Sequence, residues 1–183
     1  MGRMPPPDAL AFDFWSHDRV RHLEAIVRYS LEGIATAYGR FDGTEGPSPG
    51  AYLAVVSGHS VADYADPMGE NHWPEEGREP LWDLDAFYAS LERVASTCDG
   101  AVVVSVDGVV NRQLVRFRSP DVHLEYAPWM GARHMSALDI STREEVVVAL
   151  TLSQESGRVT RFRDGTFESV TPDRFGERWR GRS

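Results

Sequence analysis

The sequence predicts an α/β fold: a single domain with a central mixed β-sheet covered by helices. Three observations carry that reading. Apolar residues recur at helical spacing along residues 20–38 and again along 84–95, one apolar stripe each. Near-continuous apolar runs at residues 51–56, 101–106 and 146–152 have the character of strands buried within a sheet. Asp107-Gly108 and Asp164-Gly165 are strong hairpin turns, so the sheet should be mixed. With 183 residues the chain suits one domain and can bury a sizeable core.

The elements follow in order. Residues 1–15 open with Pro5-Pro6-Pro7 and end in Phe12, Phe14 and Trp15; they read as a flexible segment, with the domain spanning 16–183. Ser16 is the N-cap of a first helix reaching about Gly39, with Val20, Leu23, Val27, Leu31, Ile34 and Tyr38 on one face. Gly43 to Gly50 is a loop, Ala51 to Val56 a strand, and residues 63–80, rich in Asp, Pro, Gly and Glu, a long surface loop of the kind that borders sites. A second helix runs from Leu84 to Thr97. Ala101 to Val106 is a strand that turns at Asp107-Gly108 and returns as Val109 to Phe117. Val122 to Tyr126 reads as a further strand, residues 132–143 as a helix opening after Gly131, and Val146 to Leu152 as the sheet centre. Arg158 to Arg163 and Thr166 to Val170 form a second hairpin. Thr171-Pro172 is an N-cap and first-turn pair for a last helix ending near Arg180.

Composition narrows the function. Hydrophobic residues at 42% and charged residues at 26% describe an ordinary soluble globule. No apolar run approaches the roughly 20 residues that span a bilayer, and the start lacks a secretory pattern, so no membrane and a cytoplasmic location are expected. The single cysteine, Cys98, leaves no intrachain disulfide and fits a reducing compartment. A net charge of -9 makes duplex nucleic acid a poor partner.

Three short stretches carry chemistry. In Asp99-Gly100-Ala101 a carboxylate precedes a strand, beside small residues that let a ribose or base approach the backbone. In Gly131-Ala132-Arg133-His134 a permanent cation and an imidazole open a helix, whose free N–H groups and dipole attract anions. In Ser153-Gln154-Glu155-Ser156-Gly157 a carboxylate sits in the turn after the central strand. If the strands beside Asp99 and Glu155 are neighbours, the two carboxylates can share a divalent cation, Mg2+ or Mn2+, with phosphate oxygens completing its shell. Taken alone, each stretch also has a plainer reading: a loop Asp beside a turn Gly, a surface Arg with a capping His, a solvated carboxylate. Cys98 is best read as a small buried side chain. His17 and His22 lie off one helical face, and His59 and His72 lie in loops. Trp73, Trp82, Trp129 and Trp179 read as core and lid packing.

In this order the three stretches resemble the diadenylate cyclase domain family, the DisA N-terminal type that makes cyclic di-AMP. There a DGA motif is followed by a GTRHR-type helix start, an apolar strand and an SEE-T-G turn; the counterparts are Asp99–Ala101, Gly131–Ser141 and Ser153–Gly157. The resemblance covers about residues 50–170. It implies one ATP per domain and a face-to-face homodimer or higher oligomer, in which each 3′-hydroxyl attacks the other ATP's α-phosphate. It implies Asp99 as metal ligand and activator of the 3′-hydroxyl, Glu155 as second metal ligand, and Arg133 and His134 on the phosphates. Gly100, Ala101, Gly131, Ala132 and Ser153 would line the nucleotide pocket, with the Leu114 backbone meeting the adenine. Three positions depart from the family pattern. Ala132 lacks the usual hydroxyl, Met135 the usual charge, and Gln154 the first acid of the turn. An active cyclase is the leading expectation. A weakened nucleotide-binding sensor on the same fold, or an interaction domain that binds no nucleotide, are the alternatives.

Overall fold

Branched and small apolar side chains build the middle of the molecule. The computed structural model describes residues 17–40, 48–58, 60–76 and 78–180. The elements are α1 (Asp18–Arg40), β1 (Ala51–Val56), β2 (Ala65–His72), α2 (Leu84–Thr97), β3 (Val102–Ser105), β4 (Gln113–Phe117), α3 (Ala132–Ile140), β5 (Val146–Leu152), β6 (Val159–Arg163), β7 (Thr166–Val170), a 3-10 turn (Pro172–Arg174) and α4 (Phe175–Trp179). Five strands form one sheet in the order β3-β1-β5-β6-β7. β1 runs parallel to β3 and antiparallel to β5, and the β5–β6 and β6–β7 pairs are antiparallel. The sheet is therefore mixed, as the sequence predicts.

Every residue of β1 and of β5 is buried, because both faces of the sheet are covered. Leu53, Val55, Val148, Leu150 and Leu152 face one core with Leu23, Val27 and Leu31 of α1 and Phe87 and Leu91 of α2. Tyr52, Ala54, Val56 and Ala149 face a second core with Ala137, Leu138 and Ile140 of α3, and with Val115 and Phe117 of β4. Burying each such Val, Leu or Phe contributes about 1.5–3 kcal/mol.

Several expectations need correction. Residues 63–80 are not one loop: they contain β2, which pairs antiparallel with β4 in a separate two-stranded sheet. Most of β2 is exposed or half-buried, so it carries little hydrophobic pattern. Pro67 is tolerated because the strand has only one partner. Arg118 holds its start, reaching the Asp66 carboxylate and the carbonyls of Asp63 and Ala62. The return from Asp107-Gly108 is likewise brief: Val104 bridges Val110 and Ala101 bridges Val115, while β4 itself pairs with β2. Residues 122–126 form no strand. Their segment is tied to α3 instead, since Tyr126 and Ser119 both donate to the buried Asp139 carboxylate. The helix read over 132–143 ends at Ile140. The last helix starts as a 3-10 turn, and Thr171 occupies its N-cap without a side-chain bond. Trp82 is 78% exposed rather than packed. The N-terminal segment, the Ser16 cap, His59 and most of the 43–50 loop lie outside the described residues.

Candidate functional site

Strand register gathers the three stretches at one end of the sheet. Ala51 pairs with Leu152 and Leu53 with Val102, so Gly50, Ser153 and Ala101 emerge side by side. This end lies beyond the amino ends of β1 and β3. It is therefore not the carboxyl-end crevice where open parallel sheets bind their ligands. β1 also separates the strands that Asp99 and Glu155 adjoin.

Each stretch is held by its own local chemistry. After α2 the chain turns extended at Cys98, and Gly100 adopts φ +98. A side chain there would be strained, and its Cβ would meet Met68 Cγ at 2.9 Å and the Val115 carbonyl at 3.2 Å. Ala101 exchanges two backbone hydrogen bonds with Val115, at 2.7 and 3.0 Å. Gly131 is the N-cap of α3 and offers no side-chain bond to the first turn, leaving its N–H groups for an outside acceptor. The turn after β5 closes through Ser153 N–H to the Arg158 carbonyl at 2.9 Å and Gly157 N–H to the Ser153 carbonyl at 3.0 Å.

Two cavities open here and share a wall. One, of about 450 Å3, is mostly apolar and is lined by Tyr52, Met68, Gly100, Ala101, Val115 and Phe117, with Asp99 and Ser136 at its rim. The other, also about 450 Å3, is polar and is lined by Trp129, Gly131, His134, Ser153, Gln154 and Glu155. Ala132 and Arg133 line both. The Arg133 guanidinium donates to Asp99 Oδ1 at 3.1 Å. A Cβ on residue 50 would lie 2.5 Å from Arg133 Nη1 and 2.3 Å from Gln154 Cγ, so any larger residue there obliges these side chains to shift.

The electrostatics differ between the lobes. His134 is 7% exposed, and its Nε2 is buried with no hydrogen-bond partner among the described residues. Burial first, then the charges of Arg158 and Arg133, hold its imidazole below the usual histidine value, with Glu155 pulling the other way. Trp129 stands edge-on to the His134 ring at 5.2 Å and carries the Arg158 guanidinium over its face at 4.3 Å. In the apolar lobe burial raises the Tyr52 phenol far above its usual value, and its hydroxyl lies 3.2 Å from Ser136 Oγ.

Asp99, Gly100, Ala101, Gly131, Ala132, Arg133, His134, Ser153 and Glu155 thus come together; Leu114, expected to meet the adenine through its backbone, has a buried side chain and adjoins Val115, which lines the apolar lobe. Gly50, Tyr52, Met68, Ser136 and Trp129 also build the cleft and were not assigned to it from sequence. Tyr52 carries a signal, alternating with Leu53 onto the α3 side of a buried strand; Met68 carries none, because its strand has no apolar pattern.

For a divalent cation the donor set is apt in kind. Asp99 and Glu155 offer hard oxygens. Among the described residues no group of three or more His, Cys, Asp or Glu could hold an ion alone. Asp99 lines the apolar lobe and Glu155 the polar one.

The fold and the paired lobes define an α/β domain with a composite cleft, mostly apolar on one side and polar on the other. Residues 84–167, from α2 into β7, match the family DAC, described as DisA bacterial checkpoint controller nucleotide-binding. No curated protein matches the chain in sequence. Two solved structures share its fold. One is a hypothetical membrane-spanning protein from Bacillus cereus, at 15% identity and TM-score 0.55, covering 81% of this chain and 63% of that one. The other is a double-cysteine variant of DacA from Staphylococcus aureus, at 18% identity and TM-score 0.55, covering 86% of this chain and 92% of that one. What the chain shares with both is the fold, an α/β arrangement around a mixed sheet. No helix among the described residues is long and apolar enough to cross a membrane.

Proposed function

We propose that this chain is a diadenylate cyclase, joining two ATP molecules into cyclic di-AMP with release of two pyrophosphates. The observation that carries the reading is the shared wall: Arg133 lines both lobes and touches Asp99 at 3.1 Å. A nucleoside triphosphate has an apolar face and a polyanionic tail, and this cleft has a matching half for each.

The base and ribose would lie in the apolar lobe against Tyr52, Met68 and Phe117, over the bare backbone of Gly100 and Ala101. The phosphates would lie in the polar lobe against Arg133, the amides at the mouth of α3, His134 and Ser153. His134, neutral by its surroundings, donates one ring N–H to a phosphate oxygen. In each half-reaction a 3′-oxygen forms a bond to the α-phosphorus of the other ATP. The bond from that phosphorus to the bridging oxygen breaks, and pyrophosphate leaves. Asp99, which meets Arg133 where the lobes join, takes the proton of the attacking 3′-hydroxyl as the new bond forms and passes it to solvent. Asp99 and Glu155 would hold Mg2+ or Mn2+, which supplies neutralisation of the triphosphate charge. Phosphoryl transfer asks chiefly for such positioning and neutralisation.

One chain offers one pair of lobes, and the reaction consumes two ATP. Two chains meeting face to face supply both reactants, so an isolated chain is inert. The substrate suits a cytoplasmic protein. The test is incubation of the purified chain with ATP and Mn2+, followed by chromatography. Cyclic dinucleotide and pyrophosphate in a 1:2 ratio support the reading. Saturable ATP binding without product supports the sensor alternative, which Ala132 and the uncharged Met135 favour. Absence of any nucleotide-induced thermal shift removes both.

A further inference from the structure

β2 reaches the cleft from outside the main sheet, and Asn71 is its link to Asp99. Asn71 Oδ1 accepts the Asp99 backbone N–H at 3.1 Å, while Asn71 Nδ2 donates to the Met68 carbonyl at 2.8 Å. One side-chain amide thus ties together two residues that line the apolar lobe. Regular structure does not do this. The last α2 bond is Cys98 N–H to the Val94 carbonyl, and the bridge to β4 begins at Ala101 N–H to the Val115 carbonyl. Asp99 and Gly100 fall in the gap between these ladders. Gly100, at φ +98, has no side chain to anchor the segment, and the Asp99 side chain is 77% exposed. Two contacts set this dipeptide: the Asn71 bond to the Asp99 backbone, and the Arg133 guanidinium on Asp99 Oδ1 at 3.1 Å.

We propose that Asn71 is a positioning residue: its amide clamps the Asp99 backbone to the Met68 wall and so aims the Asp99 carboxylate at the junction of the two lobes. The proposal rests on the role given to Asp99 above. A clamp that merely stabilised the fold would affect ATP binding and turnover together. A clamp that aims Asp99 affects turnover and cation affinity and spares KM, since the N–H groups at the α3 mouth and Ser153 are held by elements that Asn71 does not touch.

The test compares Asn71→Ala with Asn71→Asp, which keeps an acceptor for the Asp99 N–H. In the ligand-free protein, NMR should show the Asp99 amide exchanging about tenfold faster in Asn71→Ala, with the Ala101 and Val115 amides unchanged. Turnover should fall about tenfold with KM for ATP unchanged, and Asn71→Asp should restore most of it. Mn2+ affinity in the presence of ATP, read by paramagnetic broadening, should weaken several-fold in Asn71→Ala. Unchanged Asp99 exchange overturns the proposal, as does a parallel loss of kcat, ATP affinity and melting temperature in both variants. If the unaltered chain makes no product, the cyclase reading falls separately. The clamp is then decided by exchange and Mn2+ affinity, and unchanged values there end it too.

Discussion

The two lobes of the cleft are equal in size and share two residues, yet they are built in opposite ways. The apolar lobe is made of parts borrowed from packing: Tyr52 from a buried strand, Phe117 and Val115 from the β4 ribbon, and a glycine whose missing side chain makes a floor. The polar lobe is made of orphaned donors and charges: the uncapped start of α3, a buried imidazole nitrogen without a partner, and a turn carboxylate. Shape selects a ligand in the first and electrostatics in the second. Arg133 and Asp99 sit at the boundary, where a reacting group must be reached from both sides.

The largest effect expected is at that boundary. Asp99→Asn should lower cyclic dinucleotide formation by about 100-fold or more while circular dichroism and melting temperature stay unchanged; full activity would remove Asp99 from the chemistry. Next, Arg133→Ala should weaken ATP by about 1.5–3 kcal/mol and leave adenosine almost unaffected, as read by calorimetry. An equal loss for both ligands would erase the distinction between the lobes. Met68→Ala should behave in the opposite sense, weakening adenosine and ATP alike by about 1 kcal/mol. A loss confined to ATP would mean the base does not sit in the apolar lobe. The smallest effect is on stability. The folded His134 pKa lies below the ordinary 6.5, so the unfolded chain takes up the proton first as pH falls. The imidazole's contribution is therefore complete above about pH 6.5 and is lost as pH drops from there through the folded value. Denaturant titrations between pH 5 and 7 should show this slope, and His134→Gln should flatten it.

The same contrast explains what could be read in advance. β1, α2, β5 and β6 are patterned by burial on one or two faces, β7 is marked by the Asp164-Gly165 turn before it, and the expected and observed limits of all five agree within a residue or so. β2 is specified by its partner rather than by its own residues: Asp66, Pro67, Gly69 and Asn71 say turn, and only pairing with β4 overrides them. The site divides likewise. Asp99, Arg133, His134 and Glu155 carry charge or a ring nitrogen beside small residues, so their chemistry is visible in the sequence. Gly50, Met68 and Asn71 act through space, distance and a backbone contact, which no local pattern records. Nor does the sequence tell that Leu114 turns inward beneath Gly100 rather than toward the cavity.

The bare α-carbon at residue 50 has a practical consequence for anyone transplanting this cleft onto another scaffold. Copying every ionic residue would not suffice, because one extra methyl at that point would press on the guanidinium and on Gln154 and oblige both to move. The graft would keep its sequence signature with its charged group displaced, so that position belongs in the design beside the arginine.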